Sequence, residues 1–133
     1  MPVLLDTHVW VWWLSGIERL STHEREALDR LAEQRDLRLS AISLWEVHMA
    51  YTKKRFQPQD TFDAWLRAAT SDHVLQIVPI DVRVALALDD LPAGFYNDPA
   101  DRLIVATARA HALPLATHDS TIRKSRVARL WRP

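Results

Sequence analysis

The sequence predicts an α/β fold: a central parallel sheet of four to five short strands flanked by helices, in one domain over residues 1–133. Three observations predict it. Short apolar runs, several ending at a polar residue, alternate with segments of helical periodicity, the pattern of βαβ units. A length of 133 residues suits one domain around one buried core. No internal repeat, low-complexity tract or linker divides the chain.

The elements follow in order. Val3-Leu4-Leu5 is a short apolar run that stops at Asp6, as a buried parallel strand does. Residues 8–14 read as a helix that Ser15-Gly16 terminates, and a second helix starts at Ser21 or Thr22 with Ala27, Leu28 and Leu31 on one face. Residues 37–42 form the next strand, Ser43 opens a helix running to Lys54, and Phe62, Trp65, Leu66 and Ala69 mark the inner face of another. Residues 74–80 give the most pronounced strand pattern, followed by a helix over residues 81–91 and a loop over residues 92–96. Asn97 or Asp98 caps a helix with Pro99 at its first position and Leu103, Ala106 and Ala110 on its apolar face. Residues 113–117 are a fourth strand and residues 127–131 a short fifth.

Composition excludes several chemistries. There is no Cys, hence no disulfide, thiol nucleophile or Cys-ligated zinc, and none of the six His has a partner at metal-ligand spacing. Lys plus Arg and Asp plus Glu each number 17, so the net charge is zero and any polyanion-binding surface must be local. The apolar run over residues 3–14 has no basic leader or cleavage site, contains Asp6 and His8, and is too short to span a bilayer. The expectation is a soluble cytoplasmic protein with no membrane association.

Four acids carry the chemistry: Asp6, Glu46, Asp101 and Asp119. Taken singly, each has a structural explanation. Asp6 and Asp119 suit helix N-caps, Ser43-Leu44-Trp45-Glu46 fits a capping box, and Asp98-Pro99-Ala100-Asp101 has the same offset. Capping leaves their common location unexplained. In an open parallel sheet the strand-to-helix junctions lie on the carboxyl edge, where ligands bind. If the strands preceding Asp6 and Asp119 are neighbours, the four carboxylates converge. Their repulsion calls for a divalent cation, and an all-carboxylate site suits Mg²⁺ or Mn²⁺ rather than zinc. One or two such ions serve phosphodiester hydrolysis without a Ser or His nucleophile.

Four segments in order carry a family resemblance: Leu4-Leu5-Asp6-Thr7-His8, Ser43-Leu44-Trp45-Glu46-Val47, the run from Asp98-Pro99-Ala100-Asp101 through Ala108, and Leu115-Ala116-Thr117-His118-Asp119. Together they span nearly the whole chain, and the sequence resembles the PIN-domain ribonucleases, in particular the VapC-type toxins of type II toxin–antitoxin pairs. The resemblance implies that Asp6, Glu46, Asp101 and Asp119 hold Mg²⁺ or Mn²⁺ and cut RNA. It implies that Thr117 and Thr7 support the site from beside it, and that Asp98 is the cap where Asp101 is the ligand. It also implies a homodimer and a cognate antitoxin segment seated in a hydrophobic groove. Where many relatives have Lys-x-x-x-Gly-Lys, this chain has Thr52-Lys53-Lys54-Arg55, keeping the charge without the Gly.

The basic cluster Lys53-Lys54-Arg55, the C-terminal stretch containing Arg123 and Lys124, and Arg102 beside Asp101 are the candidates for RNA contact. Trp10, Trp12, Trp13 and Trp45 read as core or interface rather than base-stacking groups; Trp10 and Trp13 share a helical face while Trp12 points elsewhere, which predicts that one of these three is at the surface. Two other functions fit less of the chain. An aspartyl-nucleophile phosphatase matches Leu4-Leu5-Asp6-Thr7 but needs an acid where His8 stands, and an inactive RNA- or protein-binding module has no need of all four acids.

Overall fold

The structure is a computed structural model describing residues 1–95 and 97–133. The strand β1 (Val3–Leu5) leads into α1 (Thr7–Ser15), and α2 (Thr22–Glu33) follows. Next come β2 (Leu37–Ser40), α3 (Ile42–Thr52), α4 (Phe62–Ala69), β3 (Gln76–Val78) and α5 (Val82–Asp89). The chain finishes with α6 (Pro99–Ala110), β4 (Leu115–Ala116) and α7 (Ser120–Ser125).

All four strands are parallel, in the order β3-β2-β1-β4. The chain therefore winds from β1 outward through β2 to β3, then returns to lay β4 on the opposite side of β1. The order reverses between β1 and β4, and the crevice beyond the carboxyl ends of those two strands is where such sheets bind ligands.

Side-chain alternation builds a core on each face of the sheet. Val3 and Leu5 of β1 and Leu37 and Leu39 of β2 join Val9, Trp10, Leu28 and Val47 on one face. Leu4 of β1 joins Leu115, Val84, Ile104, Val105 and Ile122 on the other. Trp10 is completely buried, and its indole N–H donates to the Ala69 carbonyl at 3.2 Å, so its one polar atom is satisfied. Gly16 ends α1 in the left-handed region, φ 67°, where a side chain would be strained.

Several boundaries differ from those the sequence predicts. Strand β2 stops at Ser40 and α3 begins at Ile42, because the Ser40 hydroxyl accepts the Ile42 N–H at 3.2 Å and turns the chain early. Strand β3 is confined to Gln76–Val78: the Val74 and Leu75 amides are drawn back to the Ser71 carbonyl, and Pro79 has no N–H to pair. Residues 127–131 supply a single parallel bridge, Leu115 to Leu130, rather than a fifth strand. The buried side of α6 is broader than one stripe, with Ala100 and a continuous run over residues 104–108 enclosed, while Leu103 and Ala110 are only half-buried. Of the loop over residues 92–96, Tyr96 lies outside the described residues. No helix among the described residues is long and apolar enough to cross a membrane.

Candidate metal centre

Asp6, Glu46 and Asp119 are delivered by strand-to-helix junctions at the carboxyl edge, whereas Asp98 and Asp101 come from the connection between α5 and α6, with no strand before it. Asp6 follows β1 and caps α1, one oxygen accepting the Thr7 N–H at 2.9 Å. Its other oxygen takes the Thr117 hydroxyl at 2.6 Å, and the His8 ring nitrogen Nδ1 lies 3.4 Å away. Asp6 is only 2% exposed, so these polar contacts are what make its burial tolerable. Thr117 directly follows β4, and its oxygen in turn accepts the Asp119 N–H at 3.0 Å, tying Asp6 to Asp119 through one hydroxyl. Asp119 caps α7 through the Ile122 N–H at 3.0 Å.

Glu46 sits one turn into α3 but forms no capping box. The N-cap of α3 is Ala41, which has no side-chain acceptor, and Ser43 lies inside the helix. Glu46 is free to reach toward α1, where it accepts the Thr7 hydroxyl at 2.5 Å, and Thr7 also lies 2.7 Å from the buried Ser43 hydroxyl. Thr7 and Ser43 thus aim Glu46 into the crevice. Ser43 appears in the sequence only as a helix opener, and its role depends on α1 packing beside α3.

Asp98 caps α6, one oxygen accepting both the Ala100 and Asp101 N–H groups at 2.9 and 3.1 Å. It does more than cap. Glu46, Asp98 and Asp101 each offer a carboxylate oxygen within 4.8 Å of the others, the one such group of potential metal ligands among the described residues. Asp6 and Asp119 lie outside this trio in distance yet act on it electrostatically. Burial and, after it, the charges of Asp6, Asp98, Glu46 and Asp119 push the Asp101 carboxyl up to about 7. Burial likewise raises Glu46, reinforced by Asp6 and Asp98 and opposed by the Thr7 hydrogen bond. No Lys or Arg among the described residues forms a salt bridge with Glu46, Asp98 or Asp101. A set of hard oxygen donors with uncompensated charge fits a divalent cation such as Mg²⁺ or Mn²⁺.

A network of rings flanks the acids. His118 donates its backbone N–H to His8 Nε2 at 3.0 Å, which leaves His8 with its proton on Nδ1, facing Asp6. Burial holds His8 below its ordinary value despite the attraction of Asp6. The His118 ring meets Glu24 at 2.6 Å, and Trp12 packs against both imidazoles. Burial alone would raise Glu24, but hydrogen bonds from His118 and Ser21 outweigh it and bring the carboxyl below its usual value.

The expected RNA-contact residues separate into groups. Arg55 lines a cleft of about 310 Å³ together with Asp6, Glu46 and Asp101. Lys53 and Lys54 are exposed at the end of α3, where Lys54 takes φ 61° and forms the left-handed turn without a glycine. Arg123 and Lys124 lie on α7, the former donating to the Thr117 carbonyl at 3.0 Å. Arg102 donates to the Phe95 carbonyl at 2.6 Å and so braces the approach to α6. None of the three tryptophans of α1 is exposed as expected: Trp10 is buried, and Trp12 and Trp13 are half-buried, the latter bonded to Asp29, whereas Trp45 is 54% exposed.

This geometry agrees with the comparisons to known proteins. The chain is 38% identical over 124 residues to Ribonuclease VapC22 of Mycobacterium tuberculosis, covering 93% of this chain and 92% of that one. Its fold is shared with VapBC2 of Rickettsia felis bound to a promoter DNA fragment (TM-score 0.74, 20% identity, 98% of each chain). It is shared also with FitAcB of Neisseria gonorrhoeae (TM-score 0.71, 23% identity, 98% of this chain and 97% of that one). The PIN domain matches residues 3–128 in sequence. With four parallel strands, acids at the β1/β4 switch point and a match over nearly its whole length, this chain belongs to the PIN-domain family.

Proposed function

We propose that the chain is a metal-dependent endoribonuclease, the toxin of a toxin–antitoxin pair, in which Asp6, Glu46, Asp101 and Asp119 hold Mg²⁺ or Mn²⁺. The observation that carries this reading is the gathering of uncompensated carboxylates in the β1/β4 crevice, with Asp101 pushed up to about 7. Asp98 offers a further oxygen to the same cluster while capping α6. When bound, a divalent cation supplies Lewis-acid chemistry, activating water and offsetting charge on the phosphate. The protein's own part is placement. Thr117 and the Thr7 amide fix Asp6, and Thr7 fixes Glu46. Arg55 in the adjoining cleft provides a cation for the RNA backbone.

The relative named Ribonuclease VapC22 supports cleavage of RNA, and structural relatives solved as VapBC complexes support a cognate antitoxin. The apolar wall of the acid-lined cleft, Val11, Trp12, Ile17 and Phe56, suits an antitoxin segment. Val82 and Leu86, 74% and 64% exposed one turn apart on α5, support a homodimer. Cytoplasmic localisation follows from an RNA substrate and an antitoxin partner. An aspartyl-nucleophile phosphatase would need an acid where His8 stands against Asp6.

The test is RNA cleavage in Mg²⁺ or Mn²⁺, comparing wild type with Asp6→Asn. Cleavage should fall by roughly 10³-fold in the variant, the scale of losing several kcal/mol of electrostatic stabilisation. Wild-type expression should arrest growth and Asp6→Asn should not. Cleavage that survives excess EDTA sinks the reading.

A further inference from the structure

A second cleft, of about 530 Å³, opens beside the acids and shares no lining residue with the first. The ring cluster of His8, Trp12 and His118 stands between the two. We propose that this second cleft is the subsite for a nucleotide of single-stranded RNA flanking the scissile bond on the Asp119 side. Its phosphate lies on Arg123 and Arg132 and its base against Trp131. The inference rests on the ribonuclease reading above and extends it to the path of the substrate.

Position is the first argument. Thr117 and His118 form the inner wall of the cleft, and the same Thr117 hydroxyl holds Asp6. Arg123 stands one turn beyond Asp119, its N–H on the Asp119 carbonyl at 3.0 Å, so the cleft begins where the acids end. With Arg55 in the first cleft, cations flank the carboxylates on both sides, as a strand crossing the site requires.

Charge is the second. Neither Arg123 nor Arg132 forms a salt bridge with a carboxylate among the described residues. The acid of the lining, Glu24, is already engaged by His118 and by the Ser21 N–H. The protein is neutral overall, so this is a local surplus of positive charge in a concave surface.

The aromatic wall is the third. Trp131 is half-buried, its ring packs against the core on one side, and its backbone N–H donates to the Leu115 carbonyl at 2.9 Å, which anchors the chain that carries it. A fixed aromatic ring beside unneutralised guanidinium groups is the arrangement that binds unpaired nucleotides, because a base exposes its face for stacking only when it is outside a duplex.

The experiment measures anisotropy of fluorescein-labelled, random-sequence single-stranded RNA in EDTA, where the RNA stays intact. It compares wild type, Arg132→Gln, and Arg67→Gln on α4 as a control for lost charge. Arg132→Gln should weaken binding several-fold and lower the slope of log affinity against log salt by roughly 0.7, the value for one phosphate contact on a single strand. The control should do neither. RNA carrying 5-iodouridine should crosslink to Trp131. Binding by Arg132→Gln equal to that of the control, or crosslinks absent from Trp131 and present near Arg55, overturns the subsite. So does equal affinity for double-stranded RNA. If wild type cleaves RNA while Arg132→Gln keeps its KM, the subsite is wrong and the nuclease reading stands. If binding depends on Arg132 but neither Mg²⁺ nor Mn²⁺ elicits cleavage, the subsite stands and the nuclease reading falls.

Discussion

Replacing Asp101 with Asn should make the metal-free protein more stable while weakening its hold on the metal. The sign follows from linkage. Asp101 titrates near 3.8 when unperturbed and is pushed up to about 7 in the fold, so the folded state binds the proton more tightly. Its contribution to stability is therefore intact at low pH and is lost as pH rises through the window between those values. At roughly 1.36 kcal/mol per pH unit the separation corresponds to about 4 kcal/mol, an upper figure. The carboxyl is only half-buried, and solvent screening brings the expected effect to about 2 kcal/mol. For a domain of this length that is roughly 8 °C in Tm.

Thermal unfolding by circular dichroism in chelator tests this. Asp101→Asn should melt above wild type near pH 8, and the gap should shrink to less than about 1 kcal/mol near pH 4, where both states retain much of the proton. Added Mn²⁺ should reverse the order, because a ligand present at about a hundred times its Kd stabilises wild type by about 2.7 kcal/mol and the variant by less. A variant that melts below wild type at pH 8 without metal, or a gap that does not change with pH, refutes the electrostatic account.

Two further predictions probe the supporting residues. His8→Leu removes the N–H that faces Asp6 and should lower Mn²⁺ affinity tenfold or more, on the scale seen when the partner of a metal ligand is lost. His8→Asn, which keeps a donor at nearly the same place, should stay within a few-fold; equal losses in a Mn²⁺ titration followed by electron paramagnetic resonance would make His8 merely a packing residue. Thr7→Val removes the hydroxyl between Ser43 and Glu46, and should cost about 1 kcal/mol in chemical denaturation along with a loss of Mn²⁺ affinity. Thr7→Ser should restore both, and failure to do so would separate Glu46 from this hydroxyl.

Much of the fold was legible because parallel strands and their helices impose different periods on the sequence. Val3-Leu4-Leu5 and the α4 face at Phe62, Trp65, Leu66 and Ala69 fell where their periods place them. Boundaries were less legible where a side chain overrides the period. Ile42 is β-branched and extends an apolar run, yet the Ser40 hydroxyl turns the chain before it. Ser43 and Glu46 have the spacing of a capping box, and only the packing of α1 beside α3 diverts both to Thr7. The adjacency of β1 and β4 was a condition the sequence could not supply, since strand order depends on how the chain returns across the sheet. Asp98 read as a cap because local spacing records the two N–H groups it accepts, and not the Glu46 carboxylate delivered from a distant helix.

The competition between capping and metal binding is resolved by doing both with the same residues. A carboxylate that accepts helix N-terminal N–H groups has its orientation fixed by the backbone. Asp6, Asp98 and Asp119 are each held in this way, so their presence at the crevice follows from forming α1, α6 and α7 at all. Glu46 and Asp101 accept no backbone N–H among the described residues, and both are pushed upward. They carry the unrelieved part of the repulsion, and a cation gains most by approaching them. The caps thus set the frame, whereas the uncapped pair stores the electrostatic strain that metal binding relieves. A variant that removes a cap should disturb folding first, and one that removes Glu46 or Asp101 should disturb metal affinity first.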